Sequence, residues 1–214
     1  MYPPIEKYLE RISREKYALS AEAERLAAYL ADKIESGKTA KLIFICTHNS
    51  RRSHMAMLWA AACSRYSGLG DNTEVYSGGT SSTAFYPLAV KAMENTGWTA
   101  RKVINVPEAD AVNAANPAYI MAFSDEAPPL TCFSKHFTDE PNPRSEFAAV
   151  MVCSEADEGC PLVPGAETRF SLPHSDPKAF DAFPNAIMKY DAACLEIASE
   201  MNAVFRAAAK SAAR

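Results

Sequence analysis

Cys46 and Arg52 stand six residues apart, joined by Thr47-His48-Asn49-Ser50-Arg51, and Ser53 follows directly. These residue types at this spacing suit capture of a tetrahedral oxyanion by a thiolate. The guanidinium of Arg52 is a planar fork that matches two oxyanion oxygens. Ser53 can donate a hydrogen bond to the sulfur, and Asn49 can adopt a left-handed conformation that turns the loop. The candidate oxyanion-binding set is therefore Thr47, His48, Asn49, Ser50, Arg51, Arg52 and Ser53, with Cys46 as nucleophile. The competing reading is a buried cysteine at a strand end, followed by a basic surface turn. The context decides between them. The loop follows an apolar run, Leu42-Ile43-Phe44-Ile45, and precedes a helical pattern from about Ser53 to Tyr66. A loop between a buried strand and a helix N-terminus presents several unpaired N–H groups at the positive end of the helix dipole, which is an anion site. The same field favours the Cys46 thiolate.

Two further thiols have unusual neighbours. Cys153-Ser154-Glu155-Ala156-Asp157-Glu158-Gly159-Cys160-Pro161 follows a second apolar run at 147–152. In a parallel sheet both loops leave the same edge, so Cys153 is expected near Cys46. Cys160 is expected on a loop able to move. Three such thiols allow a relay in which one attacks the substrate, the second attacks the first, and the third resolves the second. The plainer readings are a core thiol at Cys153 with an incidental thiol at Cys160, or a zinc site with His174. The wide spacing of the pair argues against zinc.

These residues need a frame, and the remaining pattern supplies one. Residues 4–36 read as helical, with Ser20 as an N-cap and Gly37 as a stop. Glu74–Ser77, 147–152 and Arg169–Leu172 read as further strands. Pro87–Thr96 reads as a helix, and Ile187, Tyr190, Cys194, Ile197, Met201 and Val204 mark a C-terminal one. Strands alternating with helices imply an α/β fold, a doubly wound four-stranded parallel sheet with helices on both faces. The stretch 107–144 breaks the alternation. Its two apolar runs around Pro128-Pro129 predict a β-hairpin insertion outside the parallel sheet. The expected organisation is an N-terminal helical extension over 1–39 and a catalytic domain over 40–214.

Cys46-Thr47-His48-Asn49-Ser50-Arg51-Arg52-Ser53 resembles the phosphate loop of the low-molecular-weight protein tyrosine phosphatase superfamily. Tyr76-Ser77-Gly78-Gly79-Thr80 and Asn95-Thr96-Gly97-Trp98 look like that family's second strand and second helix end. The segment Cys-Ser-x-Ala-Asp-x-x-Cys-Pro is similar to the redox segment of its thioredoxin-coupled arsenate reductases. The resemblance implies that Cys46, Arg52, Cys153 and Cys160 are catalytic. It also implies that Asp176, in His174-Ser175-Asp176-Pro177, is the general acid. The substrate it implies is arsenate or a phosphate-like oxyanion, with thioredoxin or a similar thiol reductant as partner. A phosphatase hydrolysing phosphomonoesters is the alternative, and a non-catalytic oxyanion or redox sensor is a third reading. Lys178-Ala179-Phe180 stands where the phosphatases usually have a tyrosine for stacking on an aryl phosphate. Met57 stands where some reductases carry a glutamate linked to potassium, so no potassium is expected. Arg51 replaces a cysteine and is expected to add positive charge beside the site.

The bulk numbers agree with an enzyme of this kind. The chain has 214 residues, a hydrophobic fraction of 48%, a charged fraction of 22% and a net charge of -4. That gives no reason to expect nucleic acid or an anionic membrane as partner. No signal-like or spanning apolar segment is visible, so a cytoplasmic protein with free thiols and without metal or cofactor is the expectation. Cys63 and Cys194 fall on apolar helix faces and read as core residues. Cys132 has no assigned role.

Overall fold

The computed structural model describes residues 1–104, 112–160 and 162–213. Part of the insertion, including Pro107, and Pro161 of the redox segment lie outside the described residues. Two helices open the chain, α1 (Pro3–Arg14) and α2 (Ala21–Glu35). The helical stretch expected over 4–36 is thus broken at 15–20. The Ser20 side chain accepts from the Ala23 N–H at 3.1 Å and starts α2, and Gly37 ends it at φ +66°.

The sheet that carries the site has four parallel strands in the order β2 (Thr73–Gly79), β1 (Ala40–Cys46), β6 (Phe147–Met151) and β7 (Ala166–Ser171). In β6 every residue is buried, and so is every residue of β1 but Lys41. Successive side chains of a strand point to opposite faces, so consecutive burial means that both faces of the central pair are covered. Helix α3 (Arg52–Tyr66) follows β1 and packs on β1, β2 and the long α6 (Ala186–Ala212). Helix α4 (Pro87–Asn95) and α2 also pack on α6.

The insertion forms the expected antiparallel pair, β4 (Ala118–Ala122) and β5 (Leu130–Cys132), joined through the Pro128-Pro129 region. It is larger than a hairpin. Residues Thr99–Val103, which were not read as a strand, form β3 and pair antiparallel with β4 to make a second, three-stranded sheet. Past β5 the chain returns to the main sheet. The Gly79 N–H donates to Lys135 O and the Phe137 N–H to Gly79 O, both at 3.0 Å. A Cβ on Gly78 would meet Phe137 Cα at 2.4 Å, so only glycine admits this approach.

The segment after β6 holds an element that was not read in the sequence. Ser154–Gly159 is not a loop but a short helix, α5, with Cys153 as N-cap and Cys160 as C-cap. Ala156 is its one apolar side chain, so the sequence carries no apolar stripe to announce it. Among the described residues no helix is long and apolar enough to cross a membrane.

Candidate active site

The order β2-β1-β6-β7 makes successive connections leave β1 in opposite directions, which opens a crevice at the carboxyl ends of β1 and β6. Cys46 ends β1, and Cys153 follows β6 by two residues. The Val152 N–H donates to Ile45 O at 2.9 Å, so the two strand ends are in register.

The loop between Cys46 and α3 has its carbonyls occupied. Cys46 O accepts from the Thr80 N–H, Thr47 O from the Ser81 N–H, His48 O from Ser134 Oγ, Ser50 O from the Tyr86 N–H and Arg51 O from the Met55 N–H. None of the loop N–H groups from Thr47 to Arg52 donates to another described residue. A backbone with its acceptors satisfied and its donors unclaimed, at a helix N-terminus, is a cradle for an anion. Asn49 sits at φ 44°, in the left-handed region anticipated for it. A Cβ on Gly79 would come within 2.7 Å of Asn49 N and 2.9 Å of Thr47 O, so β2 must end in glycine for the loop to close down.

The side chains divide into those that face the crevice and those that hold the loop. Cys46 Sγ lies 3.1 Å from Ser53 Oγ, and Ser53 Oγ accepts from Asn49 Nδ2 at 2.8 Å. Either atom can donate across the Cys46–Ser53 contact, and when the sulfur is a thiolate the donor is the Ser53 hydroxyl. Asn49 Oδ1 accepts from the Lys135 N–H at 3.0 Å, and Ser50 Oγ donates to Ala84 O at 2.7 Å. Asn49, Ser50 and Ser53 therefore serve the loop's shape through their side chains and offer an anion their N–H groups. Arg52 is 6% exposed. Its Nη1 donates to His174 O at 3.0 Å and its Nη2 to Asp176 Oδ2 at 2.7 Å. The loop arginine and the Asp-Pro segment are thus brought together. Asp176 Oδ1 also accepts from the Lys178 N–H at 3.0 Å, capping a short turn at Pro177–Phe180.

Arg51 corrects an expectation. Its side chain is not a free charge beside the site. Nε donates to Tyr190 Oη and Nη2 to Asp181 Oδ2, both at 2.5 Å, with the guanidinium 4.0 Å from the Tyr86 ring centre. Arg51 ties the start of α3 to the segment after Asp176 and to α6. Neither Asp181 nor Tyr190 was singled out in the sequence. Tyr190 reads as one more apolar position of α6, and only the fold reveals its hydroxyl.

The second thiol lies beside the loop. Cys153 Sγ is 3.5 Å from Thr47 Oγ1, and it accepts from the Ala156 N–H at 3.4 Å. Burial pushes this thiol up, against Thr47, the Ala156 N–H and Arg52, which favour the thiolate. Cys160 is partly exposed, and its Sγ lies 3.4 Å from Leu162 O. Cys132 and Cys194 are fully buried thiols pushed up to about 12, and Cys63 is raised by burial too. These three are inert core residues. Among the described residues no group of three His, Cys, Asp or Glu side chains could hold a metal ion.

The sequence did not single out Lys135 either. It is 3% exposed and belongs to the insertion, and burial brings its ammonium down to about 8. His54, in the first turn of α3, is fully buried and held neutral by burial and by Lys135. Its Nδ1 lies 3.1 Å from Ser77 Oγ. Ser134, Lys135 and His54 together form the back wall of the phosphate loop.

Fold and site define a class. Residues 41–127 match the family described as low molecular weight phosphotyrosine protein phosphatase. That segment holds the loop, strand β2, nearly all of β1 and most of the second sheet. Among solved structures, a mutant of YwlE from Bacillus subtilis shares the fold with a TM-score of 0.50 at 19% identity, over 82% of this chain and 100% of that one. Relatives similar in sequence are named arsenate reductase. Arsenate reductase 2 of Staphylococcus epidermidis is 26% identical over 136 residues, 64% of this chain and 77% of the relative. An arsenate reductase of Bacillus cereus is 29% identical over 144 residues, 67% and 80% respectively. One of Bacillus subtilis reaches 38% over 76 residues, 35% of this chain and 51% of its own length.

Proposed function

We propose that this chain is an arsenate reductase that works through Cys46 and an internal thiol–disulfide relay. One contact carries the reading: Cys153 Sγ lies against Thr47 Oγ1, one residue from Cys46. A phosphatase needs one thiol, and a second within reach of the nucleophile has a use in redox chemistry. The sequence relatives named arsenate reductase support it.

In the first step the Cys46 thiolate attacks arsenic(V). An As–S bond forms, and a hydroxyl leaves as water with a proton supplied by Asp176. Arg52, the loop N–H groups and the Ser53 hydroxyl hold the oxyanion and the sulfur. In the second step Cys153, as thiolate, attacks Cys46 Sγ. The S–S bond forms, the As–S bond breaks, and its electron pair stays on arsenic, which leaves as arsenite. In the third step Cys160 attacks Cys153 Sγ and releases the Cys46 thiolate, leaving a Cys153–Cys160 disulfide. A dithiol reductant such as thioredoxin reduces it and becomes oxidised in turn.

Helix α5 constrains the third step. Cys153 and Cys160 cap its two ends, and at ~1.5 Å rise per residue their Cα atoms stand roughly 10 Å apart, beyond the ~7 Å a disulfide tolerates. So α5 must unwind. It is held by Asp157, which accepts from Arg169 Nη2 at 2.5 Å and from Ser171 Oγ at 2.7 Å.

The second reading is a phosphomonoester hydrolase using Cys46, Arg52 and Asp176, with water in place of Cys153. The family description of residues 41–127 favours it. Side-by-side turnover separates the two. With thioredoxin, its reductase and NADPH, arsenate should drive NADPH oxidation by the intact chain and not by Cys46→Ser. Hydrolysis of an aryl phosphate without arsenate-dependent NADPH oxidation would replace the first reading by the second.

A further inference from the structure

His174 is buried, and neither proposed reaction uses its side chain. It lies between two carboxylates of α6 that are one helical turn apart. Nδ1 is 3.2 Å from Glu196 Oε1. Nε2 is 3.1 Å from Glu200 Oε2, an ion pair whose angle falls outside a hydrogen bond. The main chain of the same residue faces the opposite way. Its N–H donates to Val152 O at 3.2 Å, next to Cys153, and its O accepts from Arg52 Nη1. One residue therefore joins α6, the end of β6 and the oxyanion arginine, two positions before Asp176.

We propose that His174 is a positioning residue whose charged imidazolium, clamped by Glu196 and Glu200, fixes the carbonyl that aims Arg52 into the oxyanion cradle. The proposal rests on the oxyanion-binding reading of the loop and names a control on that site.

The chemistry of the clamp supports this. A protonated imidazole donates to Glu196 from Nδ1 and sets its positive charge 3.1 Å from the Glu200 carboxylate, whereas a neutral one carries a proton on only one nitrogen and no charge. The other carboxylate would then face a ring lone pair. Burial by itself pushes this imidazole down, but the Glu196 and Glu200 carboxylates more than reverse it and keep the proton up to about 9. Tyr17, in the link between α1 and α2, is the other titratable group facing the clamp. Its hydroxyl is pushed up to about 12, by burial and then by Glu200 and Glu196. Arg52 meets His174 at its main-chain carbonyl. Above about 9 the clamp opens and the segment 172–176 is left with its main-chain bonds to β6 alone, so the carbonyl that fixes one end of the Arg52 fork is held less firmly.

Sulfate is the probe, because its charge is constant across the window and it undergoes no chemistry. Binding is measured by calorimetry against pH in Cys46→Ser, which removes the nucleophile's own titration. Lys135 also titrates in this window, so the comparison across variants isolates His174. The parent should weaken its sulfate binding in a step near pH 9. His174→Gln should bind about tenfold more weakly at neutral pH, as misaligned site groups do, and should lack that step. Glu200→Gln, with one carboxylate fewer, should keep the step but move it to lower pH, which a loss of packing would not do. If His174→Gln and Glu200→Gln both bind sulfate as the parent does at every pH, the inference is overturned. Should His174→Gln fail to fold, the displaced step in Glu200→Gln decides alone. If the parent itself binds no sulfate, or binds it equally after Arg52→Ala, the oxyanion reading has failed instead.

Discussion

The site's chemistry turns on how single side chains are shared. Arg52 gives one nitrogen to His174 O and one to Asp176 Oδ2, so the arginine and the candidate acid are already paired. Asp176→Asn keeps an acceptor for Arg52 but removes the proton source. It should lower kcat for arsenate by about 10²- to 10⁴-fold with a much smaller change in KM, read by steady-state kinetics. Asp176→Ala, which also releases Arg52, should raise KM as well. His174 makes a separate prediction for stability. Its folded pKa is raised from 6.5 to about 9. The stability it contributes is therefore complete below about 6.5 and is lost as pH rises through about 9. The difference in melting temperature between the intact chain and His174→Gln should shrink between about pH 7 and about pH 10. A gap that grows with pH would give the clamp the wrong sign.

At the scale of elements, α5 is the part that the proposed relay requires to change. Asp157→Asn weakens its tie to Arg169 and Ser171 and should speed amide hydrogen exchange across 154–160. Unchanged exchange would show that these contacts do not hold the helix. What could be read in advance follows from burial. β1 and β6 are buried on both faces and appear as continuous apolar runs, so they were legible, and so was the loop that β1 must launch. Thr99–Val103 has Arg101 and Lys102 on its exposed positions, and only its pairing with β4 makes it a strand. α5 is six residues with Ala156 as their one apolar side chain, a pattern that periodicity cannot distinguish from a loop. Cys46, Asn49, Arg52 and Ser53 could be singled out because they are neighbours in the sequence. Arg51 was misread because its partners, Asp181 and Tyr190, are more than a hundred positions away.

Across the whole molecule, the N-terminal helices join the same core as the sheet. Ile5, Leu9, Leu26 and Leu30 are fully buried in the cluster that holds β1 and α6, and Tyr8 stacks on Trp59 of α3 with ring centres 5.1 Å apart. Ser13 O accepts from Arg206 Nη1 at 2.8 Å, which ties α1 to the far end of α6. We infer that residues 1–39 brace α6, and through it the Glu196–His174–Glu200 clamp. Leu30→Ala should cost about 2–5 kcal/mol, measured by denaturant unfolding. A chain cut to 40–214 should unfold more readily still. A stable truncated chain with full activity would show the extension to be dispensable.

The relay is tested most directly by mapping disulfides after one turnover. The reduced protein is treated with arsenate in the absence of external reductant, quenched with alkylating agent, and digested for peptide mass analysis. The intact chain should yield a Cys153–Cys160 disulfide and one arsenite per protein. Cys160→Ser should stop at a Cys46–Cys153 disulfide, and Cys153→Ser should give neither disulfide nor free arsenite. Arsenite release by Cys153→Ser at the rate of the intact chain, with a disulfide between Cys46 and another remaining cysteine, would contradict the relay.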